Sequence, residues 1–277
     1  MRGGRPADIA TYLALMLVAA FFVGPLLWLV SLALRTSAEV YRGAAAFIPD
    51  HPTLANFRQI LNDPAFAIYL WNGVKLSVLG AALAVICAAP AAYAFSRLSF
   101  RGRGAGLWLI LAVQMISPLV ILIPLYRYYD WLGLLENHMA VVAVYGAIGI
   151  PLTVWLLRAG FHRIPVEIEE AARLDGYSRL ETMVLVTLPL AAPSLAAAFV
   201  LNVVMNWGQF LVPFILLSSD PKWPISVAIY RFAGSTNAST TQLLAAACLV
   251  ALVPAIVVFL ALQRLLTRAL TGGALKG

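Results

Sequence analysis

The chain has 277 residues, 62% of them hydrophobic and only 11% charged, with a mean hydropathy of +0.89 and a formal charge of +7. Soluble domains carry about 25% charged residues, so a water-soluble globular protein is excluded. The basic residues lie in short segments between apolar runs rather than on one basic face, which excludes a nucleic-acid binder and reads as membrane topology.

Arg2 and Arg5 precede the first apolar stretch, as in a signal peptide. That stretch is longer than a signal core and shows no small-residue cleavage site, so it reads as a retained first span. Six runs approach the roughly 20 apolar residues a bilayer crossing needs: 9–34, 71–95, 105–125, 139–157, 190–217 and 243–262. The expected fold is therefore all-α and polytopic, with segment 1–8 before the spans, a six-span domain over 9–262 and a tail over 263–277. Twelve Arg and Lys residues fall on the side of both termini and of the 158–189 loop, against six on the other side. The positive-inside rule then makes both termini and that loop cytoplasmic.

The external segment from Arg35 to Leu70 is long enough for short surface helices, and reads either as a contact for a binding protein or as a connector. Lys75 sits just inside the second expected span, where its stem can snorkel to the interface. Every run holds a proline (Pro25, Pro90, Pro118, Pro151, Pro193 with Pro213, Pro254), as expected of helices that bend against partners able to satisfy freed backbone groups. Cys87 and Cys248 lie in separate runs and read as small core residues.

The most polar long segment is 170–189, and its helix begins near Pro165. Pro165 suits a first helical turn, and Glu167, Glu169 and Glu170 follow near the positive end of the helix dipole. Gly176 can stop the helix in the left-handed conformation. Ser178 and Glu181 have capping-box spacing for a second start, and Pro189 marks a further break. Helix, tight turn and helix are expected, with a small-residue side that could fit a groove on a partner.

In the fifth run, Asn202, Asn206 and Gln209 are spaced to fall within about 60° on one helical face. Their amides suit a hydroxyl-rich substrate or, equally, hydrogen bonding between helices. Trp207 could stack on a sugar ring if the helix is kinked. Enzyme signatures are missing: Gly102 to Gly106 lacks the strand and spacing of a dinucleotide site, and no Gly-x4-Gly-Lys-Ser/Thr loop occurs. His51, His138 and His162 lack metal-ligand spacing. Asn237-Ala238-Ser239 is a chance sequon.

The segment Glu170-Ala171-Ala172-Arg173-Leu174-Asp175-Gly176, followed after nine residues by Val186-Thr187-Leu188-Pro189, resembles the EAA loop of bacterial ABC-importer permeases, with Val186 in place of Ile. The likeness extends to Ala92 through Gly102, to Ile123-Pro124-Leu125-Tyr126, to Leu132-Gly133-Leu134 and to the tail from Gln263 to Gly277, which is similar to maltose-type permeases. Trp207-Gly208-Gln209-Phe210 departs from the family's Trp-Asn-Glu-Phe.

The resemblance implies a type I importer permease in a bacterial inner membrane that moves a mono-, di- or oligosaccharide. Glu170, Ala171, Ala172, Asp175, Gly176, Leu188 and Pro189 would couple it to an ATPase, and Asn202, Asn206, Trp207 and Gln209 would line the substrate path. The implied partners are a second permease, two ATPase subunits that bind ATP and Mg, and a substrate-binding protein; no cofactor is expected in this chain. Alternatives are import of a glycerol phosphate ester, which would favour pore cations, or ion-coupled secondary transport, which would need intramembrane carboxylates absent from the runs.

Overall fold

Apolar runs become helices because a backbone surrounded by lipid must satisfy its own N–H and C=O groups. The computed structural model describes residues 6–42, 47–233 and 241–271, and every regular element in them is helical. In chain order these are α1 (Pro6–Ala33), α2 (Ser37–Tyr41), α3 (Ala55–Leu61), α4 (Pro64–Arg97), α5 (Arg103–Val113), α6 (Pro118–Trp131), α7 (His138–Phe161) and α8 (Val166–Leu174). There follow α9 (Arg179–Glu181), a π-helical turn at Thr182–Thr187, α10 (Leu188–Leu190), α11 (Ala192–Trp207), α12 (Leu211–Leu216), a 3-10 turn at Asp220–Lys222, α13 (Ile225–Ala233) and α14 (Thr241–Thr271). Arg2, Arg5, the Asn237-Ala238-Ser239 sequon and the tail from 272 lie outside the described residues.

Among the described residues, four helices are long and apolar enough to cross a membrane, in α1, α4, α7 and α14. Arg179–Leu190 and Ala192–Trp207, bent by 77°, make a fifth if counted as one broken span. Two of the six expected runs are not single helices. Run 105–125 divides into α5 and α6, because Ser117 precedes Pro118 and is held extended. Run 190–217 breaks after Trp207, with Gly208 as the helix cap and α12 restarting at Leu211. The second helix starts earlier than expected, at Pro64, so Lys75 is about three turns into α4 and half-buried rather than at its edge. Pro25, Pro90, Pro124, Pro151 and Pro254 sit inside continuous helices. Cys248 is half-buried but Cys87 is exposed, which corrects its reading as a core residue; both are free thiols.

The chain divides into two compact units, Met1–Ala67 with Ala228–Val253 and Ile68–Val227 with Pro254–Gly277. In the first, the segment after α1 is tied down by two polar side chains. Asn56 Nδ2 donates to the carbonyls of Ala33 (2.7 Å) and Arg35 (2.8 Å), which lack helical partners at a C-terminus. Glu39 closes a capping box with Thr36 and also accepts from the amides of Asp50 (2.6 Å) and His51 (3.1 Å). Gln242 Nε2 donates to Ser37 Oγ at 2.8 Å.

In the second unit α7 is central, packing against α5, α11 and α12. One apolar cluster joins Ala88 and Ala92 to Val154, Leu157, Phe161 and Ala198. Another joins Leu76 to Val141, Tyr145, Val212 and Leu216. The α7–α11 approach depends on Gly149, where a Cβ would collide with Asn202 and come within 2.9 Å of Ala84 Cβ.

Candidate functional site

The elbow from Pro165 to Pro189 is built by local chemistry. Pro165 caps α8, and Glu167 and Glu169 occupy its first turn. At the other end Tyr177 N–H donates to Ala172 O and Gly176 N–H to Arg173 O, both at 3.1 Å; this is the Schellman pattern. It requires positive φ at the residue after the cap, and Gly176 has φ +97 with open space where a Cβ would go. The demand at Gly176 is therefore conformational and not steric. The second start is the expected capping box: Glu181 N–H donates to Ser178 Oγ (3.3 Å) and Ser178 N–H to the Glu181 carboxylate (2.8 Å). The π-helical turn and α10 then lead into α11.

The outward side of the elbow is apolar at its tip. Leu174 is 90% exposed, and Tyr177, Leu180 and Leu185 are exposed beside it. Glu170 is exposed and only at the limit of an ion pair with Arg173, 4.0 Å away. Ala171, Asp175 and Pro189 are exposed, Ala172 is buried, and Leu188 packs on the core cluster.

The buried charge of the elbow is Glu169, which the sequence reading treats only as a dipole-complementing acid. It is 3% exposed. Its Oε1 accepts from Arg97 Nε (2.8 Å) and Thr187 Oγ1 (3.0 Å), and its Oε2 accepts from Tyr93 Oη (3.1 Å). Arg97 Nη2 also donates to the carbonyls of Phe161 (2.8 Å), the last residue of α7, and of Ile164 (2.7 Å), just past it. Arg103 does the same at the end of α4, donating to Phe95 O (2.8 Å) and Ser96 O (3.2 Å). The arginines that give the topology signal thus also satisfy helix C-termini. Removing one partner of a buried pair like Arg97–Glu169 costs about 3–5 kcal/mol, because a bare charge is left behind. A polar cavity of about 210 Å³ opens beside this junction, with Arg173 and Arg179 on its wall.

Of the three amides expected on one helical face, Asn202 and Asn206 lie on α11 and Gln209 lies past its end. Asn202 is buried, and its Nδ2 donates to Thr153 Oγ1 (2.7 Å) on α7 and to Ala198 O (2.8 Å). Asn206 is buried and donates to Ser77 O on α4 at 3.3 Å. Both amides have partners inside the bundle. Gln209 lies beyond the end of α11, in the break before α12; its carbonyl accepts from Ser226 Oγ (2.8 Å) and Tyr145 Oη (3.3 Å). Trp207, half-buried, lines a small apolar cavity with Val74, Val203 and Pro254.

At the other end of this unit, the loop after α12 is clamped. Glu136, at φ +59, accepts from the amides of Ser218 and Ser219, while Lys222 Nζ donates to Glu136 O at 2.8 Å. Tyr69 Oη donates to Asp220 (2.5 Å), and Asn72 Nδ2 to the carbonyls of Pro221 and Trp223. Burial raises the Glu136 carboxyl, but the Ser218 and Ser219 donors and Lys222 outweigh it and hold it below its ordinary value.

A bundle of apolar helices, a span broken near its middle and a protruding elbow anchored on helix ends define a multi-pass membrane transport protein. The family of binding-protein-dependent transport system inner membrane components matches residues 78–272. The chain belongs to this family and is an ABC-importer permease subunit of the inner membrane. It is 32% identical over 271 residues to the trehalose transport system permease protein SugB of Mycobacterium tuberculosis, covering 97% of this chain and 98% of that one. It is 33% identical over 287 residues to the maltose/maltodextrin transport system permease protein MalG of Vibrio parahaemolyticus, covering 97% and 95%. Its fold matches a chain in the crystal structure of a bacterial ABC transporter involved in import of the acidic polysaccharide alginate, at a TM-score of 0.79 and 25% identity, over 95% of this chain and 99% of that one.

Proposed function

We propose that this subunit carries a carbohydrate through an ABC importer, beside a second permease, under a substrate-binding protein and on two ATPase subunits that bind ATP and Mg. The observation that carries the reading is the elbow: an exposed apolar tip at Leu174, shaped by a Schellman turn and rooted in buried bonds at Glu169. Such a tip suits a groove on a partner. The cargoes named for the relatives, trehalose, maltose and alginate, are all carbohydrates. ATP hydrolysis falls to the partner, since this sequence has no phosphate loop. ATP then drives transport by favouring one arrangement of the permease pair over the other.

The twelve-to-six basic asymmetry supports a cytoplasmic elbow and cytoplasmic termini. On this reading Asn202 and Asn206 hold the bundle, while Trp207 and Gln209, at the helix break, face the route. Broken helices suit such a role because freed backbone groups are tolerated where they line a cavity. The test is copurification with the ATPase and binding protein, then ATP hydrolysis and uptake in vesicles across a panel of sugars, polyols and amino acids. Stimulation and uptake with a carbohydrate are expected; stimulation by amino acids alone contradicts the reading.

A further inference from the structure

We propose that Glu169 is the positioning residue that carries displacement of the elbow into the membrane helices. The inference rests on the elbow being the ATPase dock. The only residues α8 buries are Glu169 and Ala172, and a methyl group makes no directional bond. Glu169 makes three, to two different elements: Arg97 and Tyr93 near the end of α4, and Thr187 at the end of the π-helical turn that leads to α11. Through Arg97 the junction also reaches the carbonyl of Phe161, the last residue of α7, and that of Ile164 just past it. A push on the exposed tip at Leu174 is therefore delivered to the ends of α4 and α7 and to the root of α11 through one carboxylate. The neighbouring Glu170, exposed and loosely paired, has no such route inward.

The chemistry makes an isosteric test available. Glu169→Gln keeps the shape and can keep the hydrogen bonds, its oxygen accepting from Arg97 and Thr187 and its N–H donating to Tyr93 Oη, but it removes the charge that pairs with Arg97. Thr187→Val removes a single arm and leaves the Arg97–Glu169 pair in place. The experiment compares Glu169→Gln, Arg97→Gln, the double variant and Thr187→Val in the assembled complex in vesicles. It reads copurified ATPase, melting temperature, and substrate carried per ATP hydrolysed. The expected result is a fall of about tenfold in substrate per ATP for Glu169→Gln, with ATPase still copurifying. The double variant should be no worse than the worse single one, since the pair acts as a unit, and Thr187→Val should give a smaller fall in the same ratio. A lower melting temperature with an unchanged ratio in all variants overturns the proposal and leaves only a structural role. If the unmodified complex shows no link between ATP hydrolysis and transport, that control overturns the function reading and this proposal together; a fault confined to the variants' ratio concerns the junction alone.

Discussion

Glu39 accepts hydrogen bonds from the backbone of Thr36, His51 and Asp50, and these bonds, strongest from Thr36, lower its carboxyl from 4.5 to about 2. A depressed carboxyl contributes stability above its unfolded value and loses it as pH falls through the folded one. Glu39→Gln should therefore melt lower than the unmodified protein at pH 7, by an amount that holds down to about pH 5 and closes between 4.5 and 2. Thermal melts of detergent-solubilised protein at a series of pH values check this; a gap that widens on acidification would show that the carboxylate is not held by these donors. The same scale shows why Glu169 was harder to read than Glu170. Both stand in one acidic run, but the partner that matters, Arg97, is 72 residues away, and sequence spacing shows only local neighbours. The one local cue is Arg97 itself, a charge that ends an apolar run.

Among the elements, the turn and caps of the elbow were legible because each is fixed by residues within six positions: Ala172 to Tyr177, and Ser178 to Glu181. The two broken runs were not, because apolar continuity looks the same whether a helix passes through or restarts. Pro118 divides its run while Pro90 and Pro151 stay within theirs, so a proline alone does not mark the break. The break at Gly208 also separates residues that a continuous helix would have aligned. Asn202→Leu strips Thr153 of an interhelical partner and should lower stability by about 1 kcal/mol, seen as a lower melting temperature and poorer assembly. Gln209→Leu leaves the backbone carbonyl bonds of the break intact and should cut transport while assembly stays normal. Copurification yields and uptake by the two variants decide it; the reverse pattern would put the route at Asn202.

For the whole molecule, the proposed function joins the charge asymmetry to the elbow: on that proposal the Leu174 tip stands in the cytoplasm and receives ATP-driven motion. A cysteine at Ser178, introduced with Cys87 and Cys248 replaced, should react with an impermeant reagent only in inverted vesicles. Labelling in intact cells would reverse the topology. The measurement that tests the central claim most directly is transport together with substrate-stimulated ATP hydrolysis for Gly176→Val and Gly176→Asn in reconstituted vesicles. Gly176 sits at φ +97 with no atom of this chain crowding it, so the effect within this chain comes through the turn, and Gly176→Asn controls for a side chain at the docking face. Valine opposes that conformation by roughly 1–2 kcal/mol or more, whereas asparagine adopts left-handed conformations far more readily. The account predicts that Gly176→Val inserts and assembles its spans but loses transport and the substrate dependence of ATP hydrolysis, while Gly176→Asn keeps most of both. If Gly176→Val retains both activities at the unmodified level, the elbow is not the coupling element.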